Sequence, residues 1–459
     1  MNQHLSPVAR QDTAQFERIA AFALDPDLQP PDAVLQHAST LLIDTLGVAA
    51  GATRLEVGRI ARDFAAEFHL ARPGHSTRML FDGREVSQPG AAWALATQID
   101  NLDGHDGLME TKGHIGCAVV PALFALAEQV PDLTGPEALR VMAIAYEIAA
   151  RAGLSLHATV SDYHTSGAWN ALGVAAMACR LDGSSPSVLR HALGIAEYHG
   201  PRSQMMREID NPTMLHDGSG MGALVGVNAA LLAQRGFTGA PAITVEAPEV
   251  SAFWADLGTR WTVPDNYVKP YPTCRWGHAA IDAVRQVVTE HEIDHPNVAS
   301  IKIRTFDEAA RLFAGMPDST TQAQYSMHFA VATMLRYGAI APKHIEGDAL
   351  SDPEIAAILP KISVEATSAH NDRFPQGRWS DVEVTLTTGE VLASGDVQAS
   401  GGPGAWRPDA DVEAKFLSFC DGVLNPQRTK DIWTMRDRML SSDTKLSDLT
   451  ALLTQPGDA

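Results

Sequence analysis

Asp100–Val119 reads DNLDGHDGLMETKGHIGCAV, a titratable loop between two apolar segments. It holds Asp100, Asp103, Asp106, Glu110, Lys112, His105 and His114, while AAWALATQI precedes it and CAVVPALFALAEQV runs on from its end. Both flanks carry the Ala/Leu/Val spacing of packed helices. Gly104, Gly107, Gly113 and Gly116 break the middle into loop. Unpaired charges beside a core carry large desolvation costs, so a site explains this loop better than solvation does. The fold expected around it is a helical body.

Working outward, residues 13–69 read as three helices. The second opens at Pro30-Pro31 and carries an apolar stripe through Val34, Leu35, Ala38, Leu41, Leu42 and Leu46. Arg78–Val86 alternates around Asp82-Gly83, a small hairpin signal. Beyond the loop come helices near 116–130 and 134–153, the latter started by Thr134, Pro136 and Glu137. Further helices are expected over 164–183, 185–199 and 219–235. In the last, Gly220, Gly222 and Gly226 suit close helix contact or a ligand lining. After about residue 270 the pattern changes: 297–306, 360–367 and the hairpin 379–398 read as strands, with a helix near 319–338 among them. From Asp409 the chain returns to helices, 409–423, 425–440 and 444–454. The expected class is mainly α: a helical domain (1–270) completed by C-terminal helices (405–459), with a smaller inserted α+β lid (271–404).

Bulk properties narrow the function. The 459 residues carry a net charge of −20, which argues against nucleic-acid binding. An anionic substrate would be repelled at long range, so its site must concentrate the scarce cations. No run reaches the roughly 18 apolar residues of a membrane span, and MNQHLSPVARQDTAQF lacks a leader's apolar core. The expectation is a cytoplasmic protein that acts on neither membrane nor nucleic acid. Cys117, Cys179, Cys274 and Cys420 are scattered and form no CxxC pair, so zinc knuckles and iron–sulfur cradles have no support.

Four clusters carry unusual polar groups. The opening loop offers Asp100, Asp103, His105, Asp106 and His114. It reads as a site, a solvated capped loop or an Asp/His metal set, although no compact ligand motif supports metal. Asp162–Thr165 places His164 at a helix start, where a histidine is as often a cap. Arg202–His216 contributes Arg202, Arg207 and His216, by the plainer reading ordinary loop residues. KPYPTCRWGH (269–278) sets Lys269, Arg275 and His278 at the domain junction, a rigid anion clamp. Histidine bases beside fixed cations suit proton abstraction next to a carboxylate. No nucleophile elbow, phosphate loop or dinucleotide turn is present, so acid–base chemistry without a cofactor is expected.

These clusters occur in order within LLIDTLGVAAGA (41–52), QIDNLDGH (98–105), HIGCAVVPALFALAE (114–128), AYEIAAR (145–151), HTSG (164–167), TMLHDGSG (213–220) and KPYPTCRWGHAAIDA (269–283). In these motifs the chain resembles the MmgE/PrpD family, which includes 2-methylcitrate dehydratases, cis-aconitate decarboxylases and iminodisuccinate epimerases. The resemblance covers nearly the whole sequence. It implies the two-domain fold above, a metal-free site between the domains, and a homodimer. It carries active-site roles onto Asp100, His114, His164, Lys269 and His278. Two departures stand out: Thr213 falls where many members have lysine, and Phe329 where the decarboxylase has a tyrosine. The Asp103–His114 loop is also longer.

The function expected first is a cofactor-independent hydro-lyase acting on a hydroxylated di- or tricarboxylate. Asp100, His114, His164 and Lys269 form its catalytic set, and His105, Arg202, His216, Arg275 and His278 its substrate-binding set, with no metal ligand. An epimerase of an iminodisuccinate-like acid and a lapsed polycarboxylate-binding protein are the alternatives.

Overall fold

The computed structural model describes residues 13–457; the N-terminal segment read above for a leader lies mostly in residues 1–12, outside the described residues. The protein is 58% helix and 9% strand, so it is mainly helical with a small sheet. The N-terminal helices are α1 (Thr13–Leu24), α2 (Asp32–Gly51), α3 (Glu56–Phe68), α4 (Gln88–Asp100), α5 (Gly116–Ala127), α6 (Gly135–Thr159), α7 (Gly167–Leu181), α8 (Pro186–His199), α9 (Met205–Asp210) and α10 (Ser219–Gln234). Helix α6 begins where Thr134 and Glu137 close a capping box, the Thr134 N–H donating to Glu137 Oε2 at 3.0 Å. The hairpin is short, β1 (Ser76–Arg78) against β2 (Glu85–Ser87).

Helix α5 is buried along its whole length, the deep element against which the titratable loop is laid. Small residues let its neighbours approach closely. A Cβ on Gly220 would stand 2.1 Å from Thr97 of α4, and one on Gly226 2.5 Å from Val174 of α7. The glycines of α10 therefore serve helix contact, which resolves the alternative of a ligand lining. By length and composition Asp32–Arg54 can cross a membrane, yet 72% of its apolar window is buried in the protein, as in a core helix.

Residues 298–398 hold the sheet, in the order β4–β3–β5–β6 with β7 also on β5. The strands are β3 (Val298–Thr305), β4 (Ile362–Ala366), β5 (Trp379–Leu386), β6 (Val391–Ala393) and β7 (Val397–Gln398). Strands β3 and β4 run parallel, so the chain between them crosses over through helical segments. Ile301, Ile303, Val382 and Val384 are buried in the main core, and β5 packs on the helix His278–Glu290. The helix expected near 319–338 is divided into Thr320–Gln324 and Met327–Tyr337. Ser326 causes the break, its Oγ capping the Phe329 N–H at 3.0 Å. The break matters because it turns Tyr325 inward.

The helix Asp409–Cys420 returns to α2, where a Cβ on Gly47 would overlap the Phe416 ring at 2.5 Å. Lys415 reaches inward from it to Asp44, both side chains buried.

Candidate active site

The titratable loop is pinned at several points. Gly107 and Tyr267 exchange backbone hydrogen bonds at 3.2 and 2.8 Å. The His114 N–H donates to Ser166 Oγ at 2.8 Å, and that hydroxyl donates to Asp217 Oδ2 at 2.7 Å. The loop walls a small, partly open cavity whose lining includes Asp103, Lys112, His114, Asp217, Lys269 and Arg275. Tyr267, Cys274, Tyr325 and Arg378 complete the polar lining. Asp103, Lys112 and His216 hold positive φ of 53°, 55° and 44°. Non-glycine residues reach that region only when their surroundings force them, and such strain gathers at functional sites.

His114 is fixed for one role. Its Nδ1 lies 2.7 Å from the Asp106 carbonyl, which can only accept, so Nδ1 carries the proton and Nε2 is left basic. Nε2 stands 3.5 Å from Asp217 Oδ2. Burial, then the charge of Lys269, drives the His114 pKa well below the imidazole norm, so the ring is neutral. Burial conversely lifts Asp217 to about 6, against the pull of the Ser166 hydroxyl. A neutral imidazole thus faces a carboxyl that keeps its proton in mild acid, rather than an ion pair.

Behind this pair the carboxyls are raised too. Asp100 is pushed up by burial and by the Asp217 charge, although its Oδ2 accepts the Ser219 N–H at 3.0 Å. Glu208, also raised by burial, accepts the Tyr325 hydroxyl at 2.5 Å. Lys269 is fully buried, donating to the Asp103 carbonyl at 2.9 Å and pairing with the Asp103 carboxylate.

Three further cations line the cavity. Arg275 lies over the Tyr267 ring and donates to the Ser400 and Ala399 carbonyls at 2.6 and 3.0 Å. Arg378 lies over Phe374 and bonds only backbone carbonyls, burial holding its pKa down at about 10. The Nε of each guanidinium is buried and has no partner. Lys112 sits over the Tyr163 ring. None of the three has a carboxylate within 4 Å among the described residues.

The sequence candidates fall into three groups. His114, Lys269 and Arg275 line the cavity. Asp100, His105, His216 and His278 stand one layer behind it. His105 packs edge-on to His114 with ring centroids 4.4 Å apart. His216, held near 3 by burial, packs on Tyr325. His278 faces Arg275 Nη1 at 3.2 Å and so supports the guanidinium. These last three histidines do not line the cavity themselves and instead touch His114, Tyr325 and Arg275, which do. His164 and Arg202 lie outside the lining. His164 is half-buried with an unpartnered Nδ1, next to Tyr163, on which Lys112 rests. Arg202 is exposed on its loop, too solvated for a desolvated carboxylate clamp.

Sequence reasoning left out Asp217, Tyr325 and Arg378. Asp217 directly follows His216 and was within reach. Tyr325 lies one turn before Phe329, so the cavity has a phenol although Phe329 lacks a hydroxyl. Arg378, in a loop before β5, carried no local signal. Thr213 is exposed, and it is not among the cavity's lining residues.

Donors for a metal do converge: Asp100, His105 and Cys117, and Asp103, His105 and His114, each lie within 4.8 Å of one another. Most are already committed, Asp103 to Lys269, His114 to Asp106 and Cys117 to Ser219. The set fits a hydrogen-bonded acid–base cluster better than an ion.

Comparison with known families now decides the lineage. The MmgE/PrpD N-terminal domain matches residues 17–253 and the MmgE/PrpD C-terminal domain residues 271–439. The chain belongs to the MmgE/PrpD family. It is similar to human cis-aconitate decarboxylase, 24% identical over 450 residues, covering 91% of this chain and 88% of the relative. The mouse cis-aconitate decarboxylase is 22% identical over 457 residues, covering 93% and 90%. In this MmgE/PrpD protein the matched boundaries fall on either side of the junction that carries Lys269.

Proposed function

We propose that this protein is a cofactor-independent hydro-lyase acting on a small hydroxylated di- or tricarboxylate. The observation that carries the reading is the neutral His114 Nε2 set 3.5 Å from the proton-retaining Asp217. His114 Nε2 takes the proton on the carbon next to a carboxylate. The electron pair of that C–H bond forms the alkene, the C–O bond breaks, and Asp217 gives its proton to the departing hydroxide, releasing water. Lys269 and Arg275 stabilise the charge that builds on the adjacent carboxylate. Arg378 and Lys112, cations without acidic partners, hold the remaining carboxylate. A bound anion also raises the basicity of His114, whose low pKa reflects burial among cations.

On this reading residues 13–270 and 405–457 act as a body and 271–404 as a lid that opens for entry, since the cavity is small. The family relationship supports a homodimer.

A second reading is an epimerase of an imino-dicarboxylate. It is favoured by Tyr325, whose phenol lines the same cavity as His114 and supplies a second proton carrier. Proton NMR in deuterated buffer with citrate-like, malate-like and iminodisuccinate-like acids separates the readings. A new alkene signal without carbon dioxide supports elimination. Deuterium entering an unchanged acid supports epimerisation, and carbon dioxide release supports the decarboxylation named for the relatives. Thermal shifts without turnover leave a binding protein. Full turnover in His114→Ala or Lys269→Ala would remove both acid–base assignments.

A further inference from the structure

Behind Lys269 lies a second, larger cavity, partly open to solvent. We propose that this outer cavity is an effector site for a planar aromatic anion, and that its occupant adjusts the inner cavity through shared walls. Its place between body and lid is that of a small-molecule site.

The chemistry of the lining names the ligand class. Trp406, half-exposed, stands at the mouth with its ring edge-on to His37, centroids 5.3 Å apart. Val268, Met334, Ile340 and Val412 add apolar lining to the same cavity, so an aromatic ring meets both Trp406 and aliphatic side chains there. His37 Nε2 donates to the Asn266 carbonyl at 2.9 Å, which leaves Nδ1 as an acceptor. Burial lowers the His37 pKa and keeps the ring neutral. The cations are unequally committed. Arg407 pairs closely with Asp411 at 2.8 Å. Arg285 is 3.6 Å from Asp282, a carboxylate already engaged by the Tyr271 hydroxyl and the Ser400 N–H. Arg285 is therefore the rim cation available to an acidic group.

The two cavities share three walls. The extended segment 267–270 alternates, with Tyr267 and Lys269 facing inward and Val268 and Pro270 outward. Arg275 rests on the Ala399 and Ser400 carbonyls, and the next residue, Gly401, lines the outer cavity and accepts the Val268 N–H at 2.8 Å. Lys415 and Phe419 line the outer cavity yet hold the titratable loop. Lys415 donates to the Gly104 carbonyl at 2.7 Å, and the Phe419 ring leaves no room for a Cβ on Gly104.

The walls come from both bodies, α2 and the helix Asp409–Cys420 on one side, Arg285 and Met334–Ile340 on the other. An occupant touching both favours the arrangement in which they face each other, the one that closes the inner cavity. By reciprocity, a ligand in the inner cavity tightens binding in the outer one.

The probe is 2-naphthoate, titrated calorimetrically into the full chain and into Trp406→Ala and Ala339→Trp, which remove the mouth and fill the space. The expected result is one naphthoate per chain, with affinity reduced about tenfold or more in both variants, as for a lost aromatic anchor. Melting temperatures of the unliganded variants should stay near that of the parent. Hydrogen exchange at residues 103–105 and 399–401 should slow on binding in the parent alone. Absence of binding, or binding that both variants keep, overturns the site. Binding without any change in exchange at those residues overturns the coupling. Neither readout uses turnover, so both hold whether or not the hydro-lyase reading does.

Discussion

Two buried lysines grip consecutive carbonyls of the titratable loop, Lys269 that of Asp103 and Lys415 that of Gly104. Each is also paired with an aspartate, yet the two are finished differently. Lys415 has three donors and three acceptors, both Asp44 oxygens and the Gly104 carbonyl, each at 2.7 Å. Among the described residues Lys269 has only the Asp103 carbonyl and carboxylate, leaving one donor for the cavity it lines. A saturated buried cation holds structure; an unsaturated one awaits a ligand. Burial alone does not distinguish them, and counting donors does.

Replacing each lysine by methionine tests that difference most strongly. Lys269→Met should lower kcat by about 10²–10³-fold, the effect of removing a preorganised charge stabiliser. Lys415→Met should instead destabilise the fold by about 3–5 kcal/mol, because Asp44 is left buried without its partner. Denaturant melts and steady-state kinetics on the folded fraction read the two effects. Equal loss of kcat in a folded Lys415→Met protein breaks the distinction.

Asp217 sharpens it by pH. Burial raises its pKa to about 6, so the folded protein keeps a proton that the unfolded chain releases nearer pH 4. The unfolded state then binds fewer protons over that window, and stability falls as pH rises through it. In the proposed elimination the same proton goes to the leaving hydroxide, so turnover should fall as pH rises through about 6. Asp217→Asn should flatten both dependences and reduce kcat about 10²-fold or more. A variant that keeps the alkaline fall in turnover assigns that limb to another group.

Most of the fold was legible because helices announce themselves by spacing and caps. The Thr134–Glu137 box, the Pro30-Pro31 start and the shift after residue 270 each reflect a local rule. Tyr325 was not legible, because the Ser326 cap that splits its helix is indistinguishable in sequence from an ordinary helical serine. The site was legible where polar groups cluster in sequence, as in Asp100–His114 and Lys269–His278. It was hidden where one residue arrives from afar, as Arg378 does. Layering was hidden as well: His105, His216 and His278 share motifs with lining residues, but the folded packing sets them behind the wall, which sequence proximity cannot show.

Arg378 and Arg202 give the smaller effects, and set a buried guanidinium against an exposed one. Arg378→Gln should raise KM by roughly 10–100-fold, the value of a charge-assisted hydrogen bond of about 1.5–3 kcal/mol, with kcat little changed because the group lies on the anchoring side. Arg202→Ala should shift both constants by no more than about twofold, as for surface positions generally. Michaelis–Menten curves for the two variants on one substrate check this directly. A large KM effect in Arg202→Ala would mean that its loop folds over the cavity when substrate binds, bringing an exposed cation into the clamp. That outcome would extend the rule drawn from the lysines, since an arginine without acceptors in the closed form would then be one whose acceptor is the substrate.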